Sequence, residues 1–377
     1  MYPEIFTLKD LPVKNGKITE SFTLYLKREY SECMVVTSLA RYEGEVPPTV
    51  QFFLRSELDA SPEKPFYGSH IYKIGKRDEW TRQQWKIPPM IHPSLHCEIC
   101  VTVPRGSALI VSDFHNCYNA ADRPFVTGLR FNAHLGFSGM APSNTLPAFE
   151  LAAQCGFPTC ICNPKEIGDG SLVCIHDSLI QRHARDENGL PPEEPRRIYQ
   201  MTLPELRRWD YGIRKHPLYK GTKIPELEEY FAVCAKTGMK PMFSAHPGCL
   251  KSSGWLKVKE LLRQYGLTRQ LHVKSARIAV LEKAFEYFGD EIDGYTLNNE
   301  PPEELAASKL AGANCRLVVE WQAGYYTEEA VHHILESGFS VAAYNLPRGE
   351  MSVYEKLISW GVTEFTEDHH ISIGLNW

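Results

Sequence analysis

The sequence predicts an α/β fold, a TIM-type (β/α)8 barrel preceded by an N-terminal β-sandwich. Two textures along the chain predict it. Up to about residue 125, short runs rich in Val, Ile, Thr, Phe and Tyr recur between turn clusters, without helical periodicity. From Leu129 onward apolar strands alternate with helical segments, about eight times over roughly 250 residues, which is the rhythm of a (β/α)8 barrel. The expected domains are residues 1–125 and 126–377. An open doubly wound sheet is the alternative, and it is weakened because no Gly-x-Gly-x-x-Gly follows a strand.

The sandwich strands are expected at SFTLYLK, CMVVTSLARY, TVQFFLR, HCEICVTV and ALIVSDF, with turns at KNG, EGEVPP, DASPEKP and PRG. NCYNAADRPF (116–125) reads as a linker. In the barrel, FNAHLGF, TCICNP, SLVCIHD, MKPMFSA, QLHVKSA, GYTLNN, RLVVEW, FSVAAYNL and VTEFTED read as strand-like runs. TLPAFELAAQCG is a helix ended by Gly156, and IPELEEYFAVCAKTG is another. Thr202 followed by Glu205 is a capping box that opens a helix at TLPELRRW.

Composition narrows the function. Of the 377 residues 43% are hydrophobic and 23% charged, as in an ordinary globular protein, and the net charge of −5 leaves no electrostatic footprint for nucleic acid. No secretory signal and no apolar run of about 18 residues is seen, so a cytoplasmic protein without a transmembrane segment is expected. The 11 cysteines are odd in number and many lie in apolar runs, which suits reduced buried thiols. His96, Cys97 and Cys100 resemble a fragment of a zinc site, but the second Cys-x-x-Cys is missing and the segment alternates like a strand.

Active sites of such barrels sit at the C-terminal strand ends. That rule selects His134, then Asn163 and Lys165, then His176 and Asp177, then Ser244 and His246. Two histidines at neighbouring strand ends form a general acid/base pair, one accepting a proton and the other donating one.

The wording around these residues resembles the glycerophosphodiester phosphodiesterase family. His134-Leu-Gly-Phe stands where that family opens with His-Arg-Gly. Ala-Pro-Ser-Asn-Thr-Leu-Pro-Ala-Phe (141–149) and Asp-Gly-Ser-Leu-Val-Cys-Ile-His-Asp (169–177) follow its next motifs. The likeness continues through Arg182, Thr-Leu-x-Glu-Leu (202–206), Asp210-Tyr-Gly and Gly221-Thr-Lys-Ile-Pro, and ends with Gly361-Val and Asp368. It implies the phospholipase-C-like phosphodiesterase barrel. It also implies His134 and His176 as the proton-transferring pair, and a Mg²⁺ or Ca²⁺ held by a Glu-x-Asp pair and a further glutamate.

The departures fall on the cation site. Leu135 replaces the arginine, Ile161 and Asn163 replace Glu-x-Asp, and Ser244-Ala-His246 replaces Glu-x-Lys. Hard cations are held by carboxylates, so no metal and no other cofactor is expected. Two readings stay open. In one, Lys165 and His246 meet the phosphate charge in place of the metal, as arginine does in metal-independent phosphatidylinositol phospholipases of related fold. In the other, the barrel no longer hydrolyses and binds a glycerophosphate-like or sugar ligand, or a protein partner. Asp177, Glu320 and Tyr344 join Asn163 and Ser244 as candidate substrate contacts. Trp321, Tyr325 and Tyr326 are candidates for a neutral ligand. Glu166 and Asp169 are the other nearby carboxylates. The sandwich aromatics Phe52, Phe53, Phe66, Tyr67, Trp80 and Trp85 offer a possible carbohydrate contact, with packing as the stronger expectation.

Overall fold

The computed structural model describes residues 6–26, 34–59, 64–118, 128–347 and 351–368, with side chains of 115–118 left aside. The expected domain boundary at 125 and 126 lies outside the described residues.

Two sheets make up the N-terminal part. The first contains β1 (Phe22–Leu26), β3 (Thr49–Ser56), β4 (Tyr67–Gly68), β5 (Tyr72–Lys73) and β8 (Leu95–Thr102), in the order β1-β8-β3-β4 with β5 also on β3. The second contains β2 (Met34–Glu43), β6 (Lys76–Arg77), β7 (Thr81–Ile87) and β9 (Ala108–Tyr118), with β7 and β9 on the two edges of β2 and β6 paired near its end at Arg41 and Tyr42. All pairings are antiparallel except β2 with β6. The sheets pack face to face, and Phe52 of β3 meets Trp85 of β7 with ring centroids 6.2 Å apart. Strand β7 escapes the sequence reading because Arg82, Gln83 and Gln84 interrupt its alternation. Strand β9 runs on to Tyr118, so the start of the expected linker is strand.

Cys97 and Cys100 sit three residues apart on β8, so their side chains leave opposite faces of the sheet. Cys97 is buried, while Cys100 accepts a hydrogen bond from Thr23. That geometry separates the two thiols of the zinc-like fragment.

The C-terminal part closes into a parallel barrel. Its strands are β10 (Arg130–Ala133), β11 (Thr159–Cys162), β14 (Lys240–Ser244), β15 (His272–Ser275), β16 (Gly294–Asn298), β17 (Arg316–Gln322), β18 (Ser340–Tyr344) and β19 (Glu364–Glu367), and β19 returns to pair with β10. Helices α1 (Leu146–Gln154), α3 (Leu227–Thr237), α4 (Ser252–Gln264), α5 (Ile278–Phe288), α6 (Pro302–Ala306), α7 (Glu328–Glu336) and α8 (Met351–Trp360) follow successive strands. Gly156 and Gly238 both adopt the left-handed backbone just past α1 and α3, as their positions predict. The short helix α2 (Leu203–Arg207) opens with the expected capping box, in which Glu205 accepts from the Thr202 backbone amide at 2.8 Å.

One expected barrel strand is something else. Leu172–Cys174 (β13) pairs antiparallel with Pro164–Glu166 (β12) in a separate two-stranded hairpin outside the barrel. His176 therefore sits on the loop after a hairpin, and Lys165 belongs to the hairpin rather than to the barrel strand that precedes it. A three-residue apolar run has the same period in either setting, and only pairing distinguishes them.

Alternation sorts the strand residues into two sets. Cys160, Cys162, Phe243, Val319 and Val341 join the large apolar layer between strands and helices. Ile161 and Met242 face the other way, into the barrel, and form a separate apolar cluster with Leu135. The large layer is continuous from the sandwich into the barrel.

Candidate active site

The residues at the open end of the barrel take their places from consecutive strands. His134 follows β10, Asn163 follows β11, and Ser244 ends β14 with His246 just beyond. The turn after His134 is tight. Leu135 adopts φ 59° and Gly136 φ 81°. A β-carbon on Gly136 would lie 2.5 Å from that of Ala148 on α1, so only glycine lets this turn approach the helix. Leu135 holds a conformation that side chains other than Asn, Asp and Gly seldom adopt, a strain typical of functional turns.

His134 Nδ1 lies 2.8 Å from Asp368 Oδ1. Ser138 donates to the same carboxylate oxygen at 2.5 Å. This fixes the imidazole through one nitrogen and leaves Nε2 for a ligand, the arrangement in which a carboxylate orients a catalytic histidine.

Asn144 ties the next strand ends together. Its backbone amide donates to the Leu135 carbonyl at 2.9 Å, its side-chain amide donates to Asn163 Oδ1 at 3.0 Å, and its Oδ1 accepts from the Asn163 backbone amide at 2.9 Å. Asn163 in turn donates to the Ser244 carbonyl at 2.9 Å. The sequence reading missed Asn144, although it stands inside the Ala-Pro-Ser-Asn-Thr motif.

A second group centres on His176. Its ring meets that of His246 edge-on, with centroids 5.4 Å apart. Its Nδ1 is 3.6 Å from Asp177 Oδ1, and Asp177 Oδ2 is 2.7 Å from His183 Nε2. His183 is another partner that no sequence signal marks. Lys165 is buried and donates to Ser178 Oγ at 3.0 Å. Burial pushes the Lys165 ammonium down from its ordinary pKa, with Asp177 opposing. Burial also lowers His246, helped by the charges of His176 and Lys165. Burial would raise Asp177, but His183 and His176 together hold it below the usual carboxylate value.

The opposite side of the mouth is organised by Lys274 of β15, also unforeseen. Its ammonium is ion-paired with Glu320 and lies 5.0 Å from the ring centre of Tyr344. Glu320 is fully buried, and its other oxygen accepts from Thr366 at 2.7 Å. Tyr344 accepts from Asn299 at 2.7 Å. Thus Asn163, Lys165, His176, Asp177 and His246 form one connected group together with the Ser244 carbonyl. His134 joins it through Leu135 and Asn144. Glu320 and Tyr344 form a second group around Lys274.

The remaining candidates lie elsewhere. Trp321 stacks on Tyr326 and donates to the Glu300 carbonyl at 2.8 Å, on the helix side of β17. Tyr325 is exposed. Glu166 accepts from the Lys251 amide at 3.0 Å, one residue before α4. Asp169 accepts from the Leu203 amide at 2.8 Å. Of the sandwich aromatics, Phe52, Tyr67 and Trp85 are buried and Phe66 packs on Tyr219. Trp80 is exposed beneath Arg41, whereas Phe53, Phe66 and Tyr67 line a common cleft.

The residues present do not fit a hard cation at the position the sequence likeness points to. Leu135, Ile161 and Met242 fill the barrel interior there with hydrocarbon. The Asn163 side chain is engaged by Asn144 and Ser244. Among the described residues no group of three or more His, Cys, Asp or Glu is placed to hold a metal, and no helix is long and apolar enough to cross a membrane.

Comparison with known proteins places the barrel. Residues 134–247 match the model of the glycerophosphoryl diester phosphodiesterase family. A glycerophosphodiester phosphodiesterase of Caldanaerobacter subterraneus is 32% identical over 99 residues, 26% of this chain and 37% of its own length. One of Bacillus altitudinis is 29% identical over 153 residues, 38% of this chain and 56% of its own length. The chain spans less than two thirds of the length of these curated relatives. Among solved structures, an Oleispira antarctica phosphodiesterase in complex with the product sn-glycerol-3-phosphate superposes with a TM-score of 0.53. The pair are 24% identical over 64% of this chain and 93% of that one. A glycerophosphodiester phosphodiesterase of Agrobacterium tumefaciens gives 0.51 at 19% identity, over 64% and 96%. At these identities the structures show the barrel fold.

Proposed function

We propose that this protein is a member of the glycerophosphodiester phosphodiesterase family, to which residues 134–247 are similar, and that it cleaves a glycerophosphodiester by two-histidine acid/base catalysis, without a divalent cation. The observation that carries the reading is His134 at a barrel strand end, held through Nδ1 by Asp368 at 2.8 Å. His134 Nε2 takes the proton of the attacking hydroxyl, supplied by the glycerol moiety or by water. The oxygen forms a bond to phosphorus, and the P–O bond to the alcohol breaks. His176 gives that leaving oxygen its proton. The glycerol phosphate named with the Oleispira enzyme is the kind of product such a step releases.

Charge on the phosphoryl oxygens is met by side chains in this reading. Lys165 supplies the ammonium and His246 an N–H donor beside His176. Asn163, Ser244, Asp177, Glu320 and Tyr344 are second to these, shaping the mouth and positioning Lys274. Preorganised donors of this kind are worth about 2.7–4 kcal/mol each.

The test is turnover of a panel of glycerophosphodiesters with and without EDTA, beside His134→Ala and His176→Ala. Chelator-resistant turnover that falls by about 10²–10⁴-fold in either variant is expected. Turnover abolished by EDTA and restored by Mg²⁺ or Ca²⁺ would overturn the metal-free step. The hydrocarbon cluster of Leu135, Ile161 and Met242 favours a second reading, a barrel that binds a glycerophosphate-like ligand without cleaving it. Absence of turnover on every diester, with saturable binding of glycerol phosphate, would establish that reading instead.

A further inference from the structure

The sandwich and the barrel enclose a cleft of about 1140 Å³ whose wall includes His176 and Asp177. Its far wall comes from the sandwich, through Gln51, Phe53, Lys64 and Phe66. That wall is fixed in place. Asp59 Oδ1 lies 3.0 Å from His216 Nε2. Phe66 meets the His216 ring edge-on at 4.9 Å and stacks on Tyr219 at 6.3 Å. Tyr67 packs against Phe137, three residues beyond His134, at 5.7 Å.

Charge in the cleft is lopsided. Lys64, Arg182, Arg214 and Lys215 line it, against the carboxylates Asp59 and Asp177. Both carboxylates already face histidines, His216 for Asp59 and His183 for Asp177. The Lys215 ammonium donates to the carbonyls of Ser138 and Gly139 at 2.7 and 3.0 Å, which holds it beside the turn that carries His134. Arg214 donates to the carbonyl of Arg182, so the two arginines are held side by side. A cleft of one sign with low-dielectric walls concentrates ions of the other sign. Its volume exceeds what a glycerol unit alone requires and matches pockets that hold much larger ligands.

We propose that this cleft receives the alcohol substituent of the diester and selects one that is large, hydroxylated and itself anionic, such as a polyol phosphate, over a cationic choline-type substituent. The inference deepens the phosphodiesterase reading above and rests on it for the reacting bond. The sandwich then acts as one wall of the substrate site rather than as a separate binding module.

The experiment compares glycerophosphocholine, glycerophosphoglycerol and glycerophosphoinositol phosphate, by kcat/KM and by calorimetric Kd, in wild type and in the double variant Lys64→Gln, Arg182→Gln. The anionic diester should be favoured over the choline diester by about tenfold or more at low ionic strength, and the preference should shrink as salt is raised. In the double variant the preference should fall towards unity, because the anionic diester loses affinity and glycerophosphocholine loses none, and the melting temperature should be unchanged. Turnover without any ranking by charge, or with choline preferred, overturns this inference and leaves the phosphodiesterase reading standing. Charge-ranked binding that the double variant erases, with no diester cleaved, supports the cleft as an anion site and overturns hydrolysis instead.

Discussion

The two ends of the barrel interior use the same kinds of residue to opposite ends. At the closed end Arg316 lies 3.1 Å from Asp293 and is ion-paired with Glu364. Asp293 also faces His272 at 3.1 Å and Lys240 at 3.3 Å, and Asn132 donates to Glu364 at 2.7 Å. His272 completes its hydrogen bonding with Thr296 at 2.7 Å. Burial would raise Asp293, but His272, Arg316 and Lys240 together hold it well below the ordinary carboxylate value. At the open end His134, His176 and His246 are partly exposed, with Asp368 2.8 Å from His134 and Asp177 3.6 Å from His176. The difference teaches that a polar residue inside a barrel is structural when charged partners enclose it, even with Arg316 Nε left without a hydrogen bond, and available for chemistry when one side of it is left towards solvent.

The largest expected effect breaks the comparison at the open end. The His134→Ala and His176→Ala losses proposed above correspond to about 2.7–5.5 kcal/mol of transition-state stabilisation, and thermal melts should show both variants as stable as wild type. A melting temperature that falls with activity would assign these histidines to the structural class.

Next in size is the closed end. Arg316→Met strands Asp293 and Glu364 in the barrel, and removing one partner of a buried ion group costs about 3–5 kcal/mol. Urea unfolding should show that loss, with kcat/KM per folded molecule unchanged. An undiminished unfolding midpoint would show that the network contributes no net stability.

Glu367 sharpens the boundary between the ends. It ends β19, one residue before Asp368, and Tyr354 donates to it at 2.5 Å. Burial pushes its carboxyl up to about 8 from 4.5, against the Tyr354 hydrogen bond, which lowers it, and with Asp368 adding to the rise. A raised carboxyl binds its proton more tightly in the folded state. Its stabilising contribution is therefore whole below the unfolded pKa of 4.5 and is lost as pH rises through about 8. Glu367→Gln should remove this dependence, so melting curves at pH 5 and pH 8.5 should converge relative to wild type. Parallel curves for the two proteins would contradict it.

The smallest effect lies outside both ends. Trp80 is exposed and lies under Arg41 at 5.5 Å. Trp80→Ala should change stability by no more than about 0.5 kcal/mol and leave diester turnover untouched. A marked loss of binding to a soluble polysaccharide in that variant would revive a carbohydrate role for the sandwich.

Much of this architecture is written locally. Alternating apolar residues in TVQFFLR and RLVVEW mark strands, Gly156 and Gly238 stop helices, and Thr202 with Glu205 starts one, because each signal acts within a few residues of itself. The hairpin of β12 and β13 was not legible, since three apolar residues have no period of their own. Strand β7 was hidden by polar residues on its half-buried face. At the site, His134, His176, Ile161 and Asn163 could be placed from motif spacing. His183, Lys274 and Asn144 could not, because their partners Asp177, Glu320 and Asn163 carry no pairing signal along the chain.

The chain alone therefore determines the barrel, the sandwich before it, and the histidines with Leu135 and Ile161 beside them, since period and residue chemistry are local properties. Tertiary structure alone decides which charges meet. It closes Arg316 among acids, sets His134 on Asp368, and brings Lys64 of the sandwich into the same cleft as Arg182 of the barrel, because electrostatic and packing energies depend on distances in space that separation in sequence does not specify.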